Sequence, residues 1–194
     1  RRGLVQIRPE LLARLRVVRP VGRLERGTRL LFLVRHVGQL GIADNAGEDI
    51  VEAYFAAGIV GAYFAMGPGF SAEVHGCQVE CGAASGMTAA AIVQLMGGSA
   101  KQALGAASMA IQNMIGLVCD PVADRVEVPC LGKNISAAVN AYSSAIMAIS
   151  GYDAVIPFDE VIQTVSEVSK TMPVCVKCTG KGGLALTETS RRIK

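Results

Sequence analysis

Six cysteines give this 194-residue chain its most reactive side chains. Three of them, Cys77, Cys119 and Cys130, stand beside Gly, Asp or Pro where apolar helical patterns start or stop, which places them on turns between helices rather than on the helices. Turns from distant parts of a helical bundle can converge on one point. Thiolates are soft ligands, and three of them closing on one inorganic centre would leave a fourth coordination position open for chemistry. The competing reading makes them small buried hydrophobes, since free cysteine is among the most buried residue types. Their separations of 42 and 11 residues match no short metal motif. A different ligand set, Cys77, Cys81, Cys175 and Cys178, would make a four-thiolate zinc site, but it leaves Cys119 and Cys130 without a role.

The elements that must position these residues are helical. Asp44 or Asn45 caps a first helix from about Glu48, which stops at Gly67-Pro68-Gly69. Its run Ala53 to Met66 is too short to span a bilayer and reads as a buried helix. A connection over Phe70 to Gly76 leads to Cys77. A second helix is expected over about Ala83 to Met96, and a third, capped by Ser99, over about Ala100 to Leu117. Asp120-Pro121 breaks the pattern, because a proline disfavours helix in the residue before it. A fourth helix opens at Asn134 or Ser136 and runs from about Ile135 to Ile149. A fifth starts near Pro157 and ends near Thr171. No repeat or β-hairpin signal is present, so the expected fold is an all-α helical bundle with the inorganic centre held by loops between helices. Met87, Met96, Met109, Met114 and Met147 read as core filler.

Composition divides the chain in two. Residues 1–40 hold ten Arg and two Glu, a net of +8, whereas 41–194 carry a net of −5. The Arg-rich segment has two prolines, no sustained period and no interleaved aromatics, which argues against a nucleic-acid arm. It reads as an atypical extension, disordered or not native, before a helical domain over 41–194. With 51% hydrophobic and only 5% aromatic residues, the interior is built from Ala, Gly and small aliphatics, which suits closely approaching helices. No apolar leader precedes a small-residue cleavage site, so the chain reads as cytoplasmic, where cysteines serve as ligands or core residues rather than disulfides.

The segments GCQVECG at 76–82, GLVCDPVADRVEVPC at 116–130, the helix from Asn134 with Asn140, and IPFDEV at 156–161 together resemble the C-terminal part of the α chain of bacterial iron-sulfur L-serine dehydratase. The resemblance runs from about Asp49 to Arg192. It implies a 4Fe-4S cluster on Cys77, Cys119 and Cys130, and deamination of L-serine to pyruvate and ammonia without pyridoxal phosphate. It also implies an oligomer and a β-type partner chain, because the family's Ser-Ser-Ser-His-Thr segment, which a β chain or an N-terminal domain supplies, is not found here. The Pro-Thr-(Ala/Asn)-Gly motif that the α chains carry upstream is missing too, its place taken by the Arg-rich segment 1–40. The chain alone is therefore expected to be inactive, with neither nucleic acid nor membrane as a partner. The alternative is a non-catalytic iron-sulfur or zinc-binding helical module.

Other residues near the cysteines are weaker candidates. His75 could carry a proton or simply pack. Glu80, Asp120 and Glu127 could orient a bound group, although capping a turn suits Asp120 before proline. Asn134 and Asn140 could face a substrate or cap and pack a helix. Cys175 and Cys178 are read as incidental, with one of them available as a temporary fourth ligand. Gly180-Lys-Gly-Gly183 lacks the long loop and the preceding strand of a phosphate-binding motif.

Overall fold

The structure, a computed structural model, describes residues 46–193. The Arg-rich segment 1–40 and the expected domain boundary at 40/41 lie outside the described residues. Among the described residues the fold is all-α, as expected, with seven α-helices and no β-strand: α1 (Ala46–Met66), α2 (Ala72–His75), α3 (Cys81–Leu95), α4 (Ala100–Gln112), α5 (Cys130–Ile149), α6 (Phe158–Thr171) and α7 (Glu188–Arg192). Two 3₁₀ turns, Val174–Val176 and Gly183–Leu186, separate α6 from α7.

The centre of the bundle is α3, which packs against both α4 and α5 while those two also pack on each other. Its sequence explains why it can be surrounded. The buried face of α3 is Gly82, Ala83, Ser85, Gly86, Ala89, Ala90 and Val93, small side chains that let neighbouring backbones come close. Gly86 is the tightest of these points, since a Cβ there would lie 2.8 Å from Cδ1 and Cγ1 of Ile111 on α4. The core continues through Phe64 of α1, Ile111 of α4, Ala141 and Ala145 of α5, and Val161 and Val165 of α6. Burying a side chain such as Phe64 or Ile111 contributes roughly 2 kcal/mol each.

Punctuation by Gly, Pro and Ser sets most of the boundaries. Ser99 and Gln102 form a reciprocal capping box at the start of α4, with Ser99 Oγ accepting from Gln102 N at 3.3 Å and Gln102 Oε1 accepting from Ser99 N at 2.9 Å. At the end of α1, Gly69 in the left-handed region (φ 77°) donates to Phe64 O.

Five expectations are corrected. The connection 70–76 contains the extra turn α2. Helix α5 begins at Cys130, five residues before Ile135, behind Pro129. Asn134 does not open that helix but donates from Nδ2 to Cys130 O at 2.9 Å inside its first turn. Helix α1 is not a buried helix: its 20-residue stretch Gly47–Met66 is long and apolar enough to cross a membrane, and only 22% of its most apolar 18-residue window is buried. Ala53, Val60 and Phe64 face the core while Tyr54 and Phe55 are exposed. No sequence pattern signals this, because α1 is apolar on every side and its pattern cannot say which face has a partner. Met96 and Met147 are likewise exposed rather than core filler.

Candidate functional site

The cysteines meet at the end of the bundle where α3 and α5 begin and α4 ends. Cys77, Cys81 and Cys119 are buried together with Ala72 and Ala137, and Met114, Leu117 and Cys178 pack against them. Each cysteine is placed by a different device.

Cys77 follows Gly76, whose φ of 75° suits glycine. A Cβ at Gly76 would also lie 2.7 Å from Met172 Sδ and 3.0 Å from Leu117 O, so the close approach requires glycine as well. Gln78 then fixes the turn. It is fully buried, donates from Nε2 to Val165 O of α6 at 3.1 Å, and accepts from Gly116 N at 2.9 Å. Its own N–H donates to Leu117 O at 3.1 Å. The next cysteine in the chain, Cys81, is the first residue of α3.

Cys119 lies on irregular chain and is held like a residue in a short parallel pairing. Its N–H donates to Val176 O at 2.8 Å, and its carbonyl accepts from Cys178 N at 2.9 Å. That pairing brings in Cys178, which adopts φ 60°, uncommon for a residue with a Cβ. Cys130 is half-buried at the first residue of α5. The expectation that all three cysteines occupy loops is therefore corrected for Cys130. Two helix N-termini, those of α3 and α5, point their positive ends at the thiols, which favours the thiolate form.

The thiols crowd together. The sulfurs of Cys77 and Cys119 lie within 4.8 Å of each other, Cys81 shares their buried cluster, and Cys178 packs against it. Cys130 is close enough to feel the charge of Cys77 and for its own charge to act on Cys81. The Cys77 thiol is pushed far up by its contact with Cys81 and by burial. Burial first, and then Cys77 and Cys178, push Cys119 up, and burial pushes Cys130 up. Cys81 moves down, chiefly through its interaction with the Cys77 thiol. Crowded thiols that oppose one another's ionisation form a donor set that a cation resolves.

Glu80 adds a carboxylate. Its oxygen and the sulfurs of Cys77 and Cys119 all lie within 4.8 Å of one another, a grouping able to hold a metal ion. Cys77 Sγ donates to Glu80 Oε2 at 3.7 Å. Desolvation nevertheless raises the carboxyl's pKa. Lys133 supplies the positive charge, lowering Cys77, Cys81 and Cys130 alike. Its Nζ sits 2.5 Å from Asp120 Oδ1, and this buried pair was not visible in the sequence. Asp120 does not merely cap a turn: 4% exposed, it also accepts from Leu184 N at 2.9 Å through Oδ2.

The remaining candidates divide clearly. His75 Nδ1 lies 2.8 Å from Ser169 Oγ. Because that hydroxyl donates its one proton to Ser166 O at 2.7 Å, Nδ1 is the donor in the first bond and Nε2 keeps a free lone pair. Burial and the Lys177 cation lower the His75 pKa, so the ring is neutral at pH 7. Asn140 is a structural tie, with Nδ2 donating to Ser85 Oγ and to Ala110 O, both at 2.8 Å, and Oδ1 accepting from Asn113 at 2.7 Å. Glu127 and Cys175 are exposed. A cavity of about 650 Å³ lined by Tyr63, Lys101, Ser108, Tyr152 and Asp159 lies at the other end of α4 and α5. The 18 steps along α5 from Cys130 to Ala148 put it roughly 27 Å away from the thiols.

Comparison with known proteins gives this arrangement its family. The model of the serine dehydratase alpha chain matches residues 30–185. The chain belongs to the serine dehydratase alpha-chain family. Within that family it is 45% identical over 147 residues to the probable L-serine dehydratase alpha chain of Bacillus subtilis (strain 168), covering 76% of this chain and 49% of that one. It is 46% identical over 125 residues to the L-serine dehydratase alpha chain of Peptoniphilus asaccharolyticus, covering 64% and 43%. With L-serine dehydratase 1 of Escherichia coli (strain K12) it shares 40% identity over 145 residues, 74% of this chain and 32% of the relative. The chain thus spans about half the length of the family's alpha chains that it matches, and a third of that longer relative.

Proposed function

We propose that this chain is the cofactor-binding, catalytic part of an L-serine ammonia-lyase, which converts L-serine to pyruvate and ammonia, and that Cys77, Cys119 and Cys130 hold a 4Fe-4S cluster. One observation carries the reading: in a chain of the serine dehydratase alpha-chain family, the sulfurs of Cys77 and Cys119 lie within 4.8 Å of each other, and Cys130, the first residue of α5, is near enough to feel the charge of Cys77. The donor set suits the group, being soft sulfur, crowded and partly desolvated. Bound there, a cluster with three protein thiolates supplies an iron with an open coordination position, a Lewis acid for substrate oxygens.

The chain's own groups divide the remaining work. Dehydration of serine removes the α-proton and the β-hydroxyl, so a group must accept a proton. His75 is this chain's candidate, since its ring is neutral and Nε2 keeps its lone pair while Nδ1 anchors the ring to Ser169. The Glu80 carboxylate, beside Cys77 and Cys119, orients what binds there. Asn140 takes no part, because its amide is committed to α3 and α4. Relatives named alpha chain support a β-type partner for this one. The core contacts of Val60 and Phe64 tie α1 to the bundle, which favours a soluble, cytoplasmic assembly over a membrane span.

The test is anaerobic reconstitution with iron and sulfide, followed by the visible spectrum with and without L-serine, on wild type and Cys119→Ser. The expected result is a broad visible band that serine perturbs and the substitution abolishes. A colourless protein that takes up zinc would overturn the dehydratase mechanism for this chain. Pyruvate release from serine by the isolated reconstituted chain would overturn the need for a partner.

A second reading has one observation in its favour. Cys77, Cys81 and Cys119 share one buried cluster and Cys178 packs against it, which gives the donor count of a structural zinc site. Metal and sulfide analysis separates the two, because only the first includes sulfide.

A further inference from the structure

We propose that Lys133 is the positioning residue of the thiol site: by bonding the Val118 carbonyl and the Asp120 carboxylate on either side of Cys119, it fixes Cys119 against the helix that begins at Cys130. The inference rests on the reading that these cysteines bind one group, and it identifies what sets their relative position. Lys133 Nζ donates to Val118 O at 2.6 Å and to Asp120 Oδ1 at 2.5 Å, so its two bonds bracket Cys119 on either side. Lys133 itself belongs to the first turn of α5, three residues after Cys130, and its N–H donates to Pro129 O at 3.1 Å.

The other ties are the backbone bonds of the connecting loop, Val122 N to Val128 O and Leu131 N to Val126 O, and the burial of Cys119 in one cluster with Ala137 of α5. The chain between the two cysteines is exposed from Ala123 to Val128, with Ala123 and Asp124 both in the left-handed region at φ 52° and 56°. A stretch so exposed cannot transmit a fixed distance through packing. The backbone pairing of Cys119 runs to Val176 and Cys178, away from α5. Among the described residues, the Lys133 ammonium is the only side chain that bonds α5 to residues 118–120. The far side of the clamp is braced in turn. Asp120 Oδ2 accepts from Leu184 N at 2.9 Å, and glycine at 183 leaves room for that carboxylate, since a Cβ there would lie 2.5 Å from the same oxygen. Lysine is suited to the task because an ammonium has three donors in a compact head and can serve a carbonyl and a carboxylate at once.

The experiment uses the full chain, reduced and oxygen-free, titrated with Cd²⁺ and followed by the thiolate-to-metal absorption. A parallel sample is reconstituted with iron and sulfide and assayed for both elements. The variant is Lys133→Met with Asp120→Asn, which removes the clamp without leaving a buried charge unpaired. Circular dichroism is expected to show an unchanged helix content, while Cd²⁺ affinity falls about 10-fold or more, the scale of losing a group that orients a metal ligand. Lys133→Arg, which keeps a paired cation, is expected to recover most of the binding. A folded double variant that binds Cd²⁺ like wild type would overturn the clamp. If the double variant does not fold, Asp120→Asn alone decides, a several-fold loss supporting the clamp and unchanged binding overturning it. A wild-type chain that binds Cd²⁺ yet takes up no iron and sulfide would sink the iron-sulfur reading and leave the clamp standing.

Discussion

Replacing Gln78 with leucine should unfasten the loop that carries Cys77 while leaving the helices in place. The substitution keeps nearly the same volume, so the loss is one of hydrogen bonds rather than of packing. Two bonds disappear, Nε2 to Val165 O at 3.1 Å and Gly116 N to Oε1 at 2.9 Å, both made by a side chain with no exposure. Each lost bond is worth about 1 kcal/mol. Gly116 is exposed, so its N–H turns to water, and the Val165 carbonyl remains inside helix α6. The sum is about 2 kcal/mol, which for a domain of this size lowers the melting temperature by roughly 4–8 °C. The assay is thermal unfolding by circular dichroism on the reduced, metal-free chain, run beside wild type with a thiol-reactive probe on the folded protein. Cys77 should react faster in the variant, since its neighbour no longer anchors it. A change in stability below about 1 kcal/mol, with an unchanged thiol rate, would refute the assignment of Gln78 as the anchor.

Other outcomes follow from the same geometry. Cys178→Ser should weaken Cd²⁺ binding several-fold because its sulfur meets Cys119, whereas Cys175→Ser, at an exposed position, should leave the titration unchanged. Gly183→Ala should destabilise the chain by more than about 1 kcal/mol in urea unfolding, since its φ is 58° and the new Cβ would meet Asp120. Asn140→Ala should cost about 2–4 kcal/mol in the same assay through lost ties between α3, α4 and α5, and should leave the Cd²⁺ affinity within about 2-fold of wild type, which separates a structural tie from a substrate contact.

What the sequence determined by itself is local. Gly67-Pro68-Gly69, Ser99 with Gln102, and Pro157 mark helix ends because their effects act within one turn, through fixed φ, a missing donor or a side-chain cap. The small residues of α3 likewise announce a helix that others approach closely. Only the tertiary structure decided which side chains meet. Asp120 and Lys133 are 13 residues apart and join across a loop without regular structure, so no periodicity connects them. The nearness of Cys178 to Cys119 depends on a short backbone pairing, a contact that carries no sequence pattern. The start of α5 was misplaced because Asn134 is an ordinary helix cap in isolation, whereas here the chain behind Pro129 already carries Cys130 into the helix. The exposed side of α1 was hidden for a related reason. A helix apolar all round states that it can be buried, and only the packed neighbours reveal which face is.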